Sequence, residues 1–163
     1  MKTAHRHASR AKRSNLELPK FWRTKIAATT QLDASLVHWN LIDKFTNGSA
    51  TASDLWDWME TGFTYTQIMR LHAEDGTEFT PEAMQALTDQ VDAYESICER
   101  FRKFSRVGFS ADEYNTAKAA AEVMDTLLSI DRHGIAERAA NWSNEQMKKL
   151  RRLNVVHGLE MSA

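Results

Sequence analysis

Three groups of cations stand out as the side chains best placed to bind something. The first lies near the N-terminus, where Arg6, Arg10, Lys12 and Arg13 belong to a run of eight Lys/Arg against one acid within residues 1–25. The second is Arg100-Phe101-Arg102-Lys103-Phe104-Ser105-Arg106, and the third is Lys148-Lys149-Leu150-Arg151-Arg152. Such side chains neutralise phosphates and release their counterions, which gives affinity for nucleic acid without sequence readout, and they can equally meet an acidic partner. Cations near a helix C-terminus also complement the helix dipole, which gives the second and third groups a structural reading as well.

The charge balance sharpens the pattern. The chain is −1 overall at neutral pH, yet residues 1–25 carry +7, residues 26–99 carry −11 and residues 100–163 carry +3. This asymmetry fits a binding tail, or two faces that attract each other. A dimer pairing the basic arm of one chain with the acidic middle of another fits it equally well. In the middle segment, Asp54, Asp57 and Glu60 can share one exposed helix face, as can Asp89, Asp92, Glu95, Glu99 and Glu82. A regular acidic surface can imitate a phosphate backbone. Trp56, one of five tryptophans, would add an aromatic anchor of the kind enriched at protein interfaces.

Catalytic and metal-binding patterns are absent from the sequence. His38, His72, His133 and His157 are scattered, and the only close pair is His5-x-His7. No His-x-x-x-His or Glu-x-x-His is present, so zinc and carboxylate-bridged di-iron sites lack their usual spacing. There is no glycine-rich phosphate loop and no Gly-x-Ser-x-Gly elbow. The single cysteine, Cys98, falls on an apolar helical stripe and reads as a small core residue. The expectation is therefore no cofactor, no metal and no catalytic residue. An enzyme would need a polar pocket with convergent carboxylates or histidines.

The elements that must position these groups are helical. Hydrophobic residues make up 42% and charged residues 26% of 163 residues, values of an ordinary single globular domain. One cysteine permits no internal disulfide, no apolar run approaches a membrane span, and no apolar core follows the charged N-terminus. These features point to the cytoplasm, with protein or nucleic acid rather than membrane as partner. Residues 1–25 are expected to form a flexible basic arm, since residues 1–18 have almost nothing apolar to bury. Residues 26–163 are expected to form one domain.

Asn47-Gly48, Asp75-Gly76, Val107-Gly108 and His133-Gly134 punctuate that domain as helix stops, with Gly62 inside a helix. A first helix over about 31–46 presents Leu32, Leu36, Trp39 and Ile42, with Val37, Leu41 and Phe45 widening the face. A second begins near Thr51, where Thr51-x-x-Asp54 resembles a capping box. Trp56 makes this helix apolar enough to imply contact on two sides. Thr80-Pro81 opens a third helix, carrying Met84, Leu87, Val91, Tyr94, Cys98 and Phe101. Ser110-x-x-Glu113 caps a fourth, with Tyr114, Ala117, Ala121, Met124 and Leu128 on its stripe. A fifth is expected at about 144–154 behind Ser143; residues 135–142 carry a weak helical pattern too, with Trp142 in a weakly patterned loop. The predicted fold is all-α, an antiparallel bundle of four to five helices.

The basic N-terminus ending near Leu18-Pro19, the segment Val37-His38-Trp39-Asn40, and the run Thr51-Ala52-Ser53-Asp54-Leu55-Trp56 after Gly48 resemble small all-helical proteins of unknown function from proteobacterial phages and prophages. The resemblance covers roughly residues 16–75 and brings no catalytic residues with it. It implies a phage or mobile-element protein that acts by binding. Proteins of that origin include inhibitors of host defence such as anti-CRISPR proteins, which directs attention to the acidic middle as a surface for a host protein.

Overall fold

The computed structural model describes residues 30–131 and 134–156, with side chains described from 34 to 131 and from 134 to 152. These residues form five helices: α1 (Thr30–Asn47), α2 (Ala52–Glu74), α3 (Pro81–Phe104), α4 (Ala111–Ile130) and α5 (Ile135–Val156). The described residues contain no strand, and none of their helices is long and apolar enough to cross a membrane.

Local chemistry sets most of the helix ends. Thr51 and Asp54 close a reciprocal capping box at α2, and Ser110 and Glu113 do the same at α4. Thr80 caps α3 ahead of Pro81. Gly48 and Gly76 follow α1 and α2 with positive φ, the left-handed conformation that glycine takes without steric cost. Gly134, also at positive φ, stands at the start of α5 and not at the end of α4: its carbonyl accepts from Arg138 N at 3.1 Å, while α4 ends at Ile130 before the extended Asp131. Gly108 does not serve this way. Ser105 ends α3 instead, at φ 52°, its N–H donating to Phe101 O.

Two packed clusters reveal the topology. One joins Ala34 of α1, Ile68 and Leu71 of α2, Leu87 of α3, Leu127 and Leu128 of α4, and Ile135 and Ala139 of α5. The other joins Leu41 and Phe45 of α1, Leu55 and Trp58 of α2, Ile97 of α3, and Ala117 and Ala121 of α4. The beginnings of α1 and α3 thus meet the ends of α2 and α4, and the converse holds at the other end. Helices α1–α4 run up-down-up-down. Helix α5 lies antiparallel along α2, since Phe63 meets Trp142 while Trp56 meets Arg151. Helix α2 is central, packing on both α3 and α5.

Several sequence expectations are corrected. On α1 the buried line is Ala34, His38, Leu41, Ile42 and Phe45, while Leu36 is 56% exposed; the true face includes a histidine, which the apolar pattern passed over. On α3, Leu87, Gln90 and Ile97 are the buried positions, and Met84 is exposed. Helix α5 begins nine residues earlier than expected, and Trp142 and Ser143 lie within it. Its first turns bury Ala136, Ala139 and Ala140, side chains too small to register as an apolar stripe. Gly62 does lie inside α2, facing α3, where an added Cβ would come 3.0 Å from Val91 Cγ2.

Candidate functional site

The end of the bundle holding the last turn of α3 brings several candidate residues together. Arg102, Lys103 and Arg106 are all exposed there. Among the described residues, none of the three has a carboxylate within ion-pair distance. Arg100 differs. It pairs with Glu113 and donates to Gly108 O at 3.0 Å, so it serves the α3–α4 connection. Arg106 reaches across to the α1–α2 turn, where an added Cβ on Gly48 would meet its guanidinium at 3.1 Å.

Because α5 is antiparallel to α2, its C-terminal cations arrive at the same end. Arg151 lies 5.8 Å above the Trp56 ring, and Trp56 stands 6.5 Å from Tyr94 of α3. Trp56 is therefore half-buried between α3 and α5, the two-sided contact its sequence position implied. Lys149 and Arg152 are exposed nearby on α5. The up-down topology thus gathers two cation clusters that lie more than 40 residues apart in the chain. The remaining predicted cations, Arg6, Arg10, Lys12 and Arg13, lie outside the described residues.

The two phenylalanines of the 100–106 cluster differ. Phe101 packs against the core, but Phe104 is 65% exposed. It is the last residue of α3, past the end of the packed interior, and the left-handed Ser105 turns the chain away immediately after it. Lys103 Nζ stands 5.6 Å from the centroid of this ring.

The predicted acidic face divides. Asp54 is buried rather than exposed, because it completes the α2 capping box and accepts from Lys44 Nζ at 2.7 Å. Burial raises its pKa, but the hydrogen bonds from Lys44 and Thr51 outweigh that and hold it below the usual carboxylate value. Asp57 and Glu60 are half-buried. With Val37 and Leu41 of α1 they line a cleft of about 260 Å³ beside the Lys44–Asp54 pair. The acidic stripe of α3 is as expected: Glu82, Asp89, Asp92, Glu95 and Glu99 are all exposed.

Sequence reasoning missed one polar cluster. Asp125 of α4 accepts from Ser35 Oγ at 2.6 Å, His38 Nε2 at 2.9 Å and Trp39 Nε1 at 3.0 Å, all on α1. Burial pushes the His38 pKa down, and the Asp125 charge opposing it does not restore the ordinary imidazole value. A neutral ring donating through Nε2 leaves Nδ1 as a lone pair, and Nδ1 is buried with no hydrogen-bond partner among the described residues. Burial alone would raise the Asp125 carboxyl, yet hydrogen bonds from Ser35 and Trp39, with His38, hold it low. Ser35 donates to the carboxylate and not to the imidazole, so the three side chains do not form a serine–histidine–aspartate relay. The cluster acts as a clamp between α1 and α4. The signal available in sequence was a histidine on an otherwise apolar helical face; its partner lies 87 residues away, beyond any local spacing.

Cys98 is half-buried, and burial raises its thiol pKa despite the Tyr94 hydrogen bond and the nearby Arg102. That disfavours the thiolate a nucleophile needs. Among the described residues, no group of three or more His, Cys, Asp or Glu is placed to hold a metal ion.

The chain matches no family model, no curated protein and no solved structure.

Proposed function

We propose that this protein is a non-catalytic binding module that contacts nucleic acid, or an assembly containing it, through the cationic end of its helical bundle. The observation that carries the reading is the convergence of Arg102, Lys103 and Arg106 with the α5 cations. The first three are exposed and have no described acid in ion-pair range. Arg100, held by Glu113, is consumed by the fold; Arg102 and Lys103 complement the α3 dipole from its last turn, which leaves their charged ends open to a ligand. An array left to solvent suits a polyanion, whose counterions it would displace. The basic residues of 1–25 add to the same affinity, and the phage or mobile-element origin implied by the resemblance fits a protein that works by binding.

The test is nucleic-acid affinity over a salt series, comparing the wild-type chain with the triple variant Arg102→Ala, Lys103→Ala, Arg106→Ala. Wild type should weaken steeply as salt rises. The variant should bind less tightly, with a salt slope lower by about 2–3, close to one unit per phosphate contact removed. Identical slopes would remove this surface from the interaction.

A second reading, an anti-defence inhibitor of the anti-CRISPR kind acting on a host protein, draws on the five exposed carboxylates along α3. They form a regular acidic ridge of the sort that can occupy a nucleic-acid groove on a partner. Its signature would be displacement of nucleic acid from that partner, abolished by reversing the charges of Asp89, Asp92 and Glu95.

A further inference from the structure

The cationic end carries a feature that electrostatics does not require. Phe104 leaves 65% of its surface to water at the tip of α3, flanked in sequence by Arg102, Lys103 and Arg106. An exposed phenylalanine costs solubility and adds nothing to the core that Phe101 already fills. Lys103 lies over the ring at 5.6 Å, and the left-handed Ser105 fixes the point at which the chain turns. Aromatic rings interleaved with cations are what single-stranded nucleic acid binds: bases stack on the rings while the cations follow the phosphates. A duplex keeps its base faces covered and would meet only the charges. An acidic protein segment would meet the same cations and would need an apolar side chain of its own to cover the ring.

We infer that the ligand of this end is single-stranded nucleic acid, with Phe104 as a stacking platform for an unpaired base and Lys103 and Arg106 as its phosphate contacts. This rests on the proposed nucleic-acid binding and specifies its form. The acidic stripe of α3 begins at Glu99, one turn before Lys103, and repels phosphates along the helix length. The strand therefore crosses the end of the bundle toward Arg151 and Arg152 of α5 instead of following α3.

The experiment uses the full chain and fluorescently labelled thymidine and uridine oligonucleotides of about 16 nucleotides, together with a duplex of equal length, in anisotropy titrations. Wild type should prefer the single strands. Phe104→Ala should weaken single-strand binding about tenfold, the loss of one stacked base, with the salt slope unchanged. Phe104→Tyr should restore most of the affinity. Lys103→Ala should instead lower the slope by about one unit. Phe104 is exposed, so these variants should keep wild-type helix content, which circular dichroism checks. Wild type binding neither nucleic acid would overturn the proposed function and this inference together. Wild type binding both forms equally, or Phe104→Ala binding single strands as wild type does, would overturn the stacking role alone.

Discussion

Replacing Asp125 with alanine tests the clamp between α1 and α4. The carboxylate takes three hydrogen bonds from one helix, and the donors will not suffer equally when it goes. Ser35 and Trp39 are half-buried and can turn to water, at a cost of about 0.5 kcal/mol each. His38 is 2% exposed, so its Nε2–H is stranded, at a cost of about 1–3 kcal/mol. Alanine's better helix propensity returns about 0.5 kcal/mol. The net loss should be about 2 kcal/mol, a sizeable part of a typical 5–15 kcal/mol stability. Urea unfolding followed by tryptophan emission at about pH 8, where histidine is neutral in both states, measures it directly. Asp125→Asn keeps a carbonyl acceptor and should lose about half as much. The variant should also become more sensitive to acid. Asp125 partly offsets the burial that lowers the His38 pKa, so without it the ring titrates lower still. A loss below about 0.5 kcal/mol for Asp125→Ala would refute the clamp, because it would mean that His38 is solvated once the carboxylate is gone.

Three further outcomes are expected. The folded pKa of His38 lies below its ordinary value of 6.5, so its contribution is complete above that pH and is lost as pH falls; His38→Gln should flatten the decline in urea midpoint between about pH 7.5 and 5.5. Gly62→Ala gains about 1 kcal/mol of helix propensity but drives a Cβ to 3.0 Å from Val91 Cγ2. It should lower stability by about 1 kcal/mol net, and the loss should shrink when Val91 is also replaced by alanine, with the Gln90 Nε2 contact at 3.3 Å remaining. Glu113→Ala removes the reciprocal cap of α4 and the partner of Arg100 together, for about 1–2 kcal/mol by thermal unfolding, whereas Glu113→Gln keeps the cap and should cost less than half of that.

How much of this was legible in the sequence depends on the range of each signal. The caps at Thr51, Thr80 and Ser110 are local, each decided within four residues, and all three hold in the structure. The stop at Gly108 failed because a serine took the left-handed conformation three residues earlier, a conformation that glycine favours but does not monopolise. The alanine face of α5 was invisible because Ala136, Ala139 and Ala140 bury little area each; their value lies in letting α5 approach α2 closely. The same limit hid Asp125, whose partners belong to a helix that neighbours it only after folding.

The candidate binding residues follow a similar division. Cation clusters are visible in the chain as runs, but a run does not say which members remain available. The structure separates Arg100, consumed by Glu113 and Gly108 O, from Arg102, Lys103 and Arg106. It also withdraws Asp54 from the acidic face by using it as a helix cap. Topology then does what composition cannot. An odd number of antiparallel crossings separates α2 from α5, so the end of α5 returns to the beginning of α2, and Arg151 reaches Trp56. Had one more helix intervened, the last cation cluster would stand at the opposite end, beside Glu74 and Glu78. The charge segregation written along the sequence acquires a direction in space through that connectivity. On the proposed reading, an anionic ligand would meet the end where α3 and α5 finish and avoid the acidic flank of α3 that leads to it.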